Sequence, residues 1–249
     1  MKNLILEACV DSAESALNAS RGGADRFELC QNLIIGGTTP TPGLFRQVQL
    51  VSDLPIRVLV RPRFGDFLYT EAELEAMLSD IRYFREAGAE AIVTGALTAD
   101  GGLDLEAMKR LREAAGPLEF TLHRAVDVAV DALEIVDHCV DLDIRTILTS
   151  GQAASAMEGL EMLKLMVAEA GELVTILAAG GVSAAVIPAL HEAGLNAFHM
   201  SGKTVLDSQM RFRRPEVSMG MPGISEFQIW QAEEAKFREA RGLIDRLSR

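Results

Sequence analysis

Leu4-Ile5-Leu6-Glu7-Ala8-Cys9-Val10 is a short, mostly apolar run that gives way to charged and small residues and then to a helical stretch. The chain repeats that unit to its other end, with further runs at Arg26–Gln31, Arg57–Pro62, Glu90–Leu97, Glu119–Arg124, Thr146–Gly151, Val174–Gly181 and Ala197–Gly202. Successive runs begin 22, 31, 33, 29, 27, 28 and 23 residues apart, about the length of one strand plus one crossover helix. Eight such units in 249 residues predict an α/β fold: a single (β/α)8 TIM barrel with a closed parallel sheet, one domain over 1–249. In that architecture chemistry sits at the C-terminal ends of the strands, so the ends of the runs are where function is sought.

Composition narrows the classes. At 49% hydrophobic residues the chain can bury a large core. A formal net charge of -12 argues against nucleic acid as a partner, because phosphate backbones are held by clustered Lys and Arg. No apolar stretch reaches the roughly 20 residues of a membrane helix, and Met1-Lys2-Asn3-Leu4 leads directly into the first run; the expectation is a cytoplasmic protein without a membrane partner. Three cysteines do not make a disulfide framework and are expected as reduced thiols.

The connecting segments are legible from pattern. Thr70 and Glu73 have the spacing of a capping box, and Leu74, Met77, Leu78, Ile81 and Phe84 recur at threes and fours before Gly88. In the last segment Ser225 is placed to cap a helix on which Phe227, Trp230, Phe237, Ala240, Ile244 and Leu247 share a face. Two connections exceed what a plain barrel requires, Asn32 to Leu44 and Lys203 to Gly223. Both follow strand ends and belong to the functional face. The second carries Lys203, Arg211, Arg213 and Arg214, either a solvated or subunit-contacting loop or an anion site.

Side chains alternate across a strand, so Glu7 and Cys9 share one face of the first run, and Glu28 and Cys30 one face of the second. Pointing inward, the two thiols become neighbours at the mouth; otherwise they are small buried hydrophobes. Buried carboxylates need partners. Arg61 and Arg63 end the third run and His123 and Arg124 the fifth, so Glu7, Glu28, Arg61, His123 and Arg124 form either a structural ion-pair ring or a catalytic or ligand site. Gly180-Gly181 and Ser201-Gly202-Lys203 follow the seventh and eighth runs, where barrels often bind phosphate through backbone N–H groups, and Thr149-Ser150-Gly151 adds further donors. Of the four histidines, His123 is the candidate acid, base or ligand. His199 also ends a strand, whereas His138 and His191 fall on helices.

Ordered motifs extend over nearly the whole chain: Glu7-Ala8-Cys9-Val10-Asp11-Ser12, Gly22-Gly23-Ala24-Asp25-Arg26-Phe27-Glu28-Leu29-Cys30, Gly36-Gly37-Thr38-Thr39-Pro40, Arg61-Pro62-Arg63-Phe64-Gly65-Asp66-Phe67, His123-Arg124-Ala125-Val126-Asp127, Leu148-Thr149-Ser150-Gly151 and Val217-Ser218-Met219-Gly220. In these the sequence resembles the CutC family of copper homeostasis proteins. The resemblance implies a TIM barrel, a cytoplasmic location, a homodimer, and Cu(I) bound through Cys9 and Cys30, for which soft thiolates are suited. It departs from the family at Phe64, placed to narrow the mouth, and at Leu122, Met200 and Gly202. Two expectations follow. One is a protein that binds copper directly. The other is an enzyme of unknown reaction on a small anionic or phosphorylated substrate, with Glu7, Glu28 and His123 as acid and base and Arg61, Arg63, Arg124, Ser150, Gly180, Gly181 and Ser201 binding the substrate.

Overall fold

The computed structural model describes residues 4–217, 219–220 and 223–249. Met1 to Asn3, and Ser218 of the late motif, lie outside them. Eight parallel strands close on themselves in chain order: β1 Ile5–Val10, β2 Arg26–Leu29, β3 Ile56–Leu59, β4 Ala91–Thr94, β5 Glu119–Leu122, β6 Thr146–Thr149, β7 Thr175–Ala178 and β8 Ala197–Met200. Helices fill the crossovers: α1 Ala13–Arg21, α2 Pro42–Val51, α3 Glu71–Glu86, α4 Leu105–Ala115, α5 Ala132–Asp141, α6 Leu160–Ala170, α7 Ile187–Glu192 and α8 Glu234–Leu247. This is the single (β/α)8 barrel that the repeat predicts.

The pleat separates two cores. Leu6, Ala8, Val10, Phe27, Leu29, Val58 and Val60 point outward into the layer beneath the helices. The alternate residues point into the barrel, where apolar side chains form only two small groups: Cys9, Cys30, Leu59 and Val93, and Leu148, Leu177, Ala179 and Ala197. Beyond these groups and Ala91, the buried strand residues facing the interior are polar. Glu7 sits opposite Arg26 on β2 and opposite His199 on β8, and Cys9 opposite Glu28.

The capping box at α3 forms as its spacing predicts: Thr70 Oγ1 accepts from the Glu73 N–H and the Glu73 carboxylate accepts from the Thr70 N–H. The end of the chain differs from expectation. Gln228–Ala232 is a strand, β10, paired antiparallel with β9, Lys203–Asp207. Ser225 caps no helix; its side chain accepts from the Phe227 N–H in a turn. Ile229 and Trp230 suit a strand, and Thr204-Val205-Leu206 offers a pairing edge that outweighs the weak helical periodicity there. Helix α8 then begins at Glu234 and buries Phe237, Ala240 and Ile244.

Candidate metal and ligand site at the barrel mouth

A cavity of about 640 Å³ opens at the C-terminal ends of the strands. Cys9, Glu28 and His199 line it on one side and Arg61, Phe67 and His123 on another, with Gly180, Gly181 and Ser201 also on its wall.

The arc of β8, β1 and β2 is organised around Glu7, which is 1% exposed. Its Oε2 accepts from Arg26 Nε at 2.6 Å and lies 3.9 Å from Arg57 Nε, while Oε1 is 2.8 Å from His199 Nδ1. Burial pushes the Glu7 carboxyl up, but the surrounding cations Arg26, His199 and Arg57 outweigh it and hold the pKa at about 2. Glu7 is therefore a fixed anion below the cavity. Arg57, 2% exposed, reaches across the barrel to donate to Thr121 Oγ1 at 3.0 Å and to pair with Glu119 at the lower rim.

His199 relays that charge upward. Burial opposes its protonation, yet Glu28, Cys9 and Glu7 together hold its pKa well above the usual imidazole value. Its Nε2 is 4.0 Å from Glu28 Oε1, which accepts a contact from the Cys9 thiol at 3.6 Å. Glu28 is shifted upward by burial, a shift that His199 opposes and Glu7 reinforces; its Oε2 has no hydrogen-bond partner among the described residues. The Cys9 thiol is pushed well up by its hydrogen bond with Cys30, by burial and by Glu28. Donor atoms of Cys9, Glu28 and His199 all lie within 4.8 Å of one another. Cys30 is fully buried behind them, its thiol directed to the Val10 carbonyl at 3.7 Å. All three cysteines are free.

The ionic ring expected from the sequence is thus assembled from other cations. Arg61 and His123 stand on a different wall. Arg61 donates to the carbonyls of Gly36, Gly37 and Gly65 at 3.3, 3.1 and 2.7 Å. Gly37 has φ +85°, and a Cβ there would meet Leu59 Cδ2 at 2.8 Å, so only glycine lets this loop turn its carbonyl onto the guanidinium. His123 accepts the Ala125 N–H at Nδ1, 3.2 Å, and stacks against Phe67 with ring centroids 4.7 Å apart. Burial, then the charge of Arg61, lowers its pKa to about 3. His123 is therefore neutral at physiological pH.

Other expected residues fall elsewhere. Arg63 does not line the cavity: it binds Glu73 at 2.5 Å and Asp66 at 3.0 Å on the surface. Arg124 lines it, but its Nε is bound to Asp127 at 2.6 Å. Ser150 is fully buried, accepting from Arg124 Nη2 at 2.7 Å and donating to the Ala153 carbonyl at 2.6 Å. The Asp127 carboxylate also accepts from Thr149 Oγ1 and the Ser150 N–H, so Thr149 and Ser150 hold up the wall and do not line the cavity. Gly180 and Gly181, at φ +82° and +70°, and Ser201 do face the cavity. Of the late basic cluster only Lys203 reaches it, its Nζ 4.5 Å from the Trp230 ring centre; Arg213 forms a bidentate pair with Asp207 in solvent. Phe64 is 64% exposed and does not narrow the mouth.

Fold and site together define a TIM barrel carrying a thiol–imidazole–carboxylate cluster at its C-terminal mouth. The CutC family model matches residues 4–204, and the chain belongs to the CutC family. It is 43% identical to the CutC family protein of Klebsiella pneumoniae over 96% of this chain and 97% of that one. It is 40% identical to the human copper homeostasis protein cutC homolog over 94% and 86%. Among solved structures, CutC from Streptococcus agalactiae superposes with a TM-score of 0.76 at 30% identity, covering 80% of this chain and 98% of that one.

Proposed function

We propose that this barrel takes part in copper handling by binding Cu(I) as cargo at its mouth, in the reducing cytoplasm, through Cys9 with Cys30 and His199. One observation carries this reading: Cys9, Glu28 and His199 present donors within 4.8 Å of one another, and the other nitrogen of His199 rests on the Glu7 carboxylate at 2.8 Å. A carboxylate behind the ligating imidazole is the usual support of a metal-bound histidine, and thiolates are soft donors suited to Cu(I). Anaerobic titration of Cu(I) against a chromogenic chelator tests it. The wild type should take up stoichiometric Cu(I), and Cys9→Ser combined with Cys30→Ser should abolish uptake. Unchanged uptake by the double variant overturns the reading. Homodimer formation, which the family resemblance implies, belongs to the same proposal and is checked by sedimentation.

The size of the cavity favours a second reading. At about 640 Å³ it extends from Cys9 to Gly180 and Gly181, far more room than one ion needs. A small anionic substrate fits there, with Lys203, Ser201 and the glycine backbone at one end. Glu28, shifted upward, beside a protonated His199, is a pair able to pass a proton. Inorganic phosphate should then shift the amide NMR signals of Gly180 and Gly181. Signals that stay fixed at saturating phosphate count against it.

A further inference from the structure

The wall formed by β3 and β5 holds a buried cation with no acidic partner among the described residues. Arg61 is 8% exposed, and its guanidinium bonds go only to the neutral carbonyls of Gly36, Gly37 and Gly65. Its Nε has no partner among the described residues. Asp127, the acid on the same wall, is spent on Arg124, Thr149 and Ser150. A buried charge without a counter-charge is costly, so such a site is completed by something from outside the chain.

His123 supplies the second half. Its Nδ1 accepts the Ala125 N–H, which fixes the neutral tautomer with the proton on Nε2. That Nε2–H is buried and has no partner among the described residues. The edge of the ring carrying Nδ1 and Cε1 abuts Gly95, where an added Cβ would come within 3.0 Å of either atom, so Nε2 does not depend on that side. Phe67 packs on both groups, 4.7 Å from the His123 ring and 5.0 Å from the guanidinium carbon. All three residues line the cavity.

We infer that Arg61 and His123 form a subsite for the carboxylate of a small organic acid, with Phe67 as its apolar backing. The charge and the donors decide the class. One cation and one neutral donor match a monoanion, and the lone pairs of its two acceptor oxygens can take the N–H groups left over on Arg61 and His123. A phosphate, at about -1.5 to -2 and with three strong acceptor oxygens, would leave charge and lone pairs unmet. The inference rests on the second reading only in taking the cavity as a site for small anions. It requires neither catalysis nor copper.

The test uses the full chain, freed of metal by a Cu(I) chelator, with histidine and arginine side chains labelled with 15N. Acetate and pyruvate are the probes and inorganic phosphate the control. His123 should show the Nε2–H tautomer, and acetate or pyruvate should shift its Nε2 and the Arg61 Nε signals saturably. Arg61→Gln should weaken that binding more than tenfold and His123→Phe about tenfold, the scale of a hydrogen bond to a charged group. His123→Asn, which keeps an N–H donor, should recover part of the loss. Because Arg61 also ties the loops at Gly36, Gly37 and Gly65, His123→Phe carries the test if the arginine variant does not fold. The inference is overturned by an Nδ1–H tautomer, by signals that neither carboxylate moves, by binding unchanged in His123→Phe, or by phosphate shifting these signals where carboxylates do not. Phosphate shifts at Gly180 and Gly181 report on the second reading separately.

Discussion

The arc of β8, β1 and β2 pairs its buried charges with one another, whereas the wall of β3 and β5 leaves a buried arginine to backbone carbonyls and keeps its histidine neutral. Glu7 faces Arg26, Arg57 and His199; Arg61 faces Gly36, Gly37 and Gly65. The first arrangement answers charge with charge within the chain, though Glu28 Oε2, Arg26 Nη2 and Arg57 Nε lack hydrogen-bond partners among the described residues, and its reactive groups, Cys9, Glu28 and His199, are poised over a fixed anion. The second is complete only with a ligand. Stability should therefore depend most on the first arc and ligand binding most on the second.

The sharpest way to break that contrast is Glu7→Gln. It strands the Arg26 guanidinium and takes from Arg57 and His199 an anion they share, and removing one member of a buried ion pair costs about 3 to 5 kcal/mol. Urea unfolding measures the loss; a cost below about 1 kcal/mol, the scale of a surface ion pair, would show that the arc is not a mutually dependent set.

Acid should expose the other wall next. Burial and Arg61 lower the pKa of His123 in the fold from the ordinary imidazole value of 6.5 to about 3. The unfolded chain binds this proton first, so stability is lost as pH falls from 6.5 toward 3, by roughly 2 kcal/mol at pH 5. His123→Phe should remove that part of the slope. Glu7 acts in a lower window: held at about 2, it stabilises above 4.5 and its contribution is lost as pH falls through that range to 2. His199 has the opposite sign, contributing below pH 6.5 and losing its contribution as pH rises through its raised folded pKa. Unfolding midpoints measured across pH in wild type, His123→Phe and His199→Asn separate these contributions. A wild-type acid slope that survives in His123→Phe would mean that this histidine is not neutral in the fold.

The smallest effect belongs to Arg63→Ala. Two residues from Arg61, Arg63 pairs with Glu73 and Asp66 in solvent. Its removal should leave Cu(I) uptake and acetate binding unchanged in the same titrations, while Arg61→Gln weakens the second more than tenfold. Equal losses in both variants would place the ligand outside the cavity.

Much of this was legible in sequence wherever the signal is local. The eight apolar runs mark the strands, and Thr70 with Glu73 marks the start of α3, because a strand's alternation and a capping box are satisfied within a few residues. The end of the chain was not. Phe227-Gln228-Ile229-Trp230 fits a helix face loosely and a strand well, and its partner, Thr204-Val205-Leu206, lies more than twenty positions upstream. In the site, the shared faces of Glu7 with Cys9 and of Glu28 with Cys30 followed from alternation, whereas the register that sets Cys9 opposite Glu28 came from the barrel. The place of His199 did too, since it meets Glu7 only because β8 closes onto β1. Arg57 escaped notice inside an apolar run, although a lone arginine in a buried strand is itself a signal that an anion lies opposite.

By itself, then, the sequence determined the barrel, the end of it that carries the chemistry and the residue types gathered there, because strand period, helix period and capping are short-range properties of the chain. Only the tertiary structure decided which cation answers which carboxylate, that His199 and not His123 stands with Cys9 and Glu28, and that Arg61 has no counter-ion among the described residues. Those pairings depend on barrel closure and on the burial it imposes. They join residues up to 192 positions apart, at distances where one turn of register changes every partner.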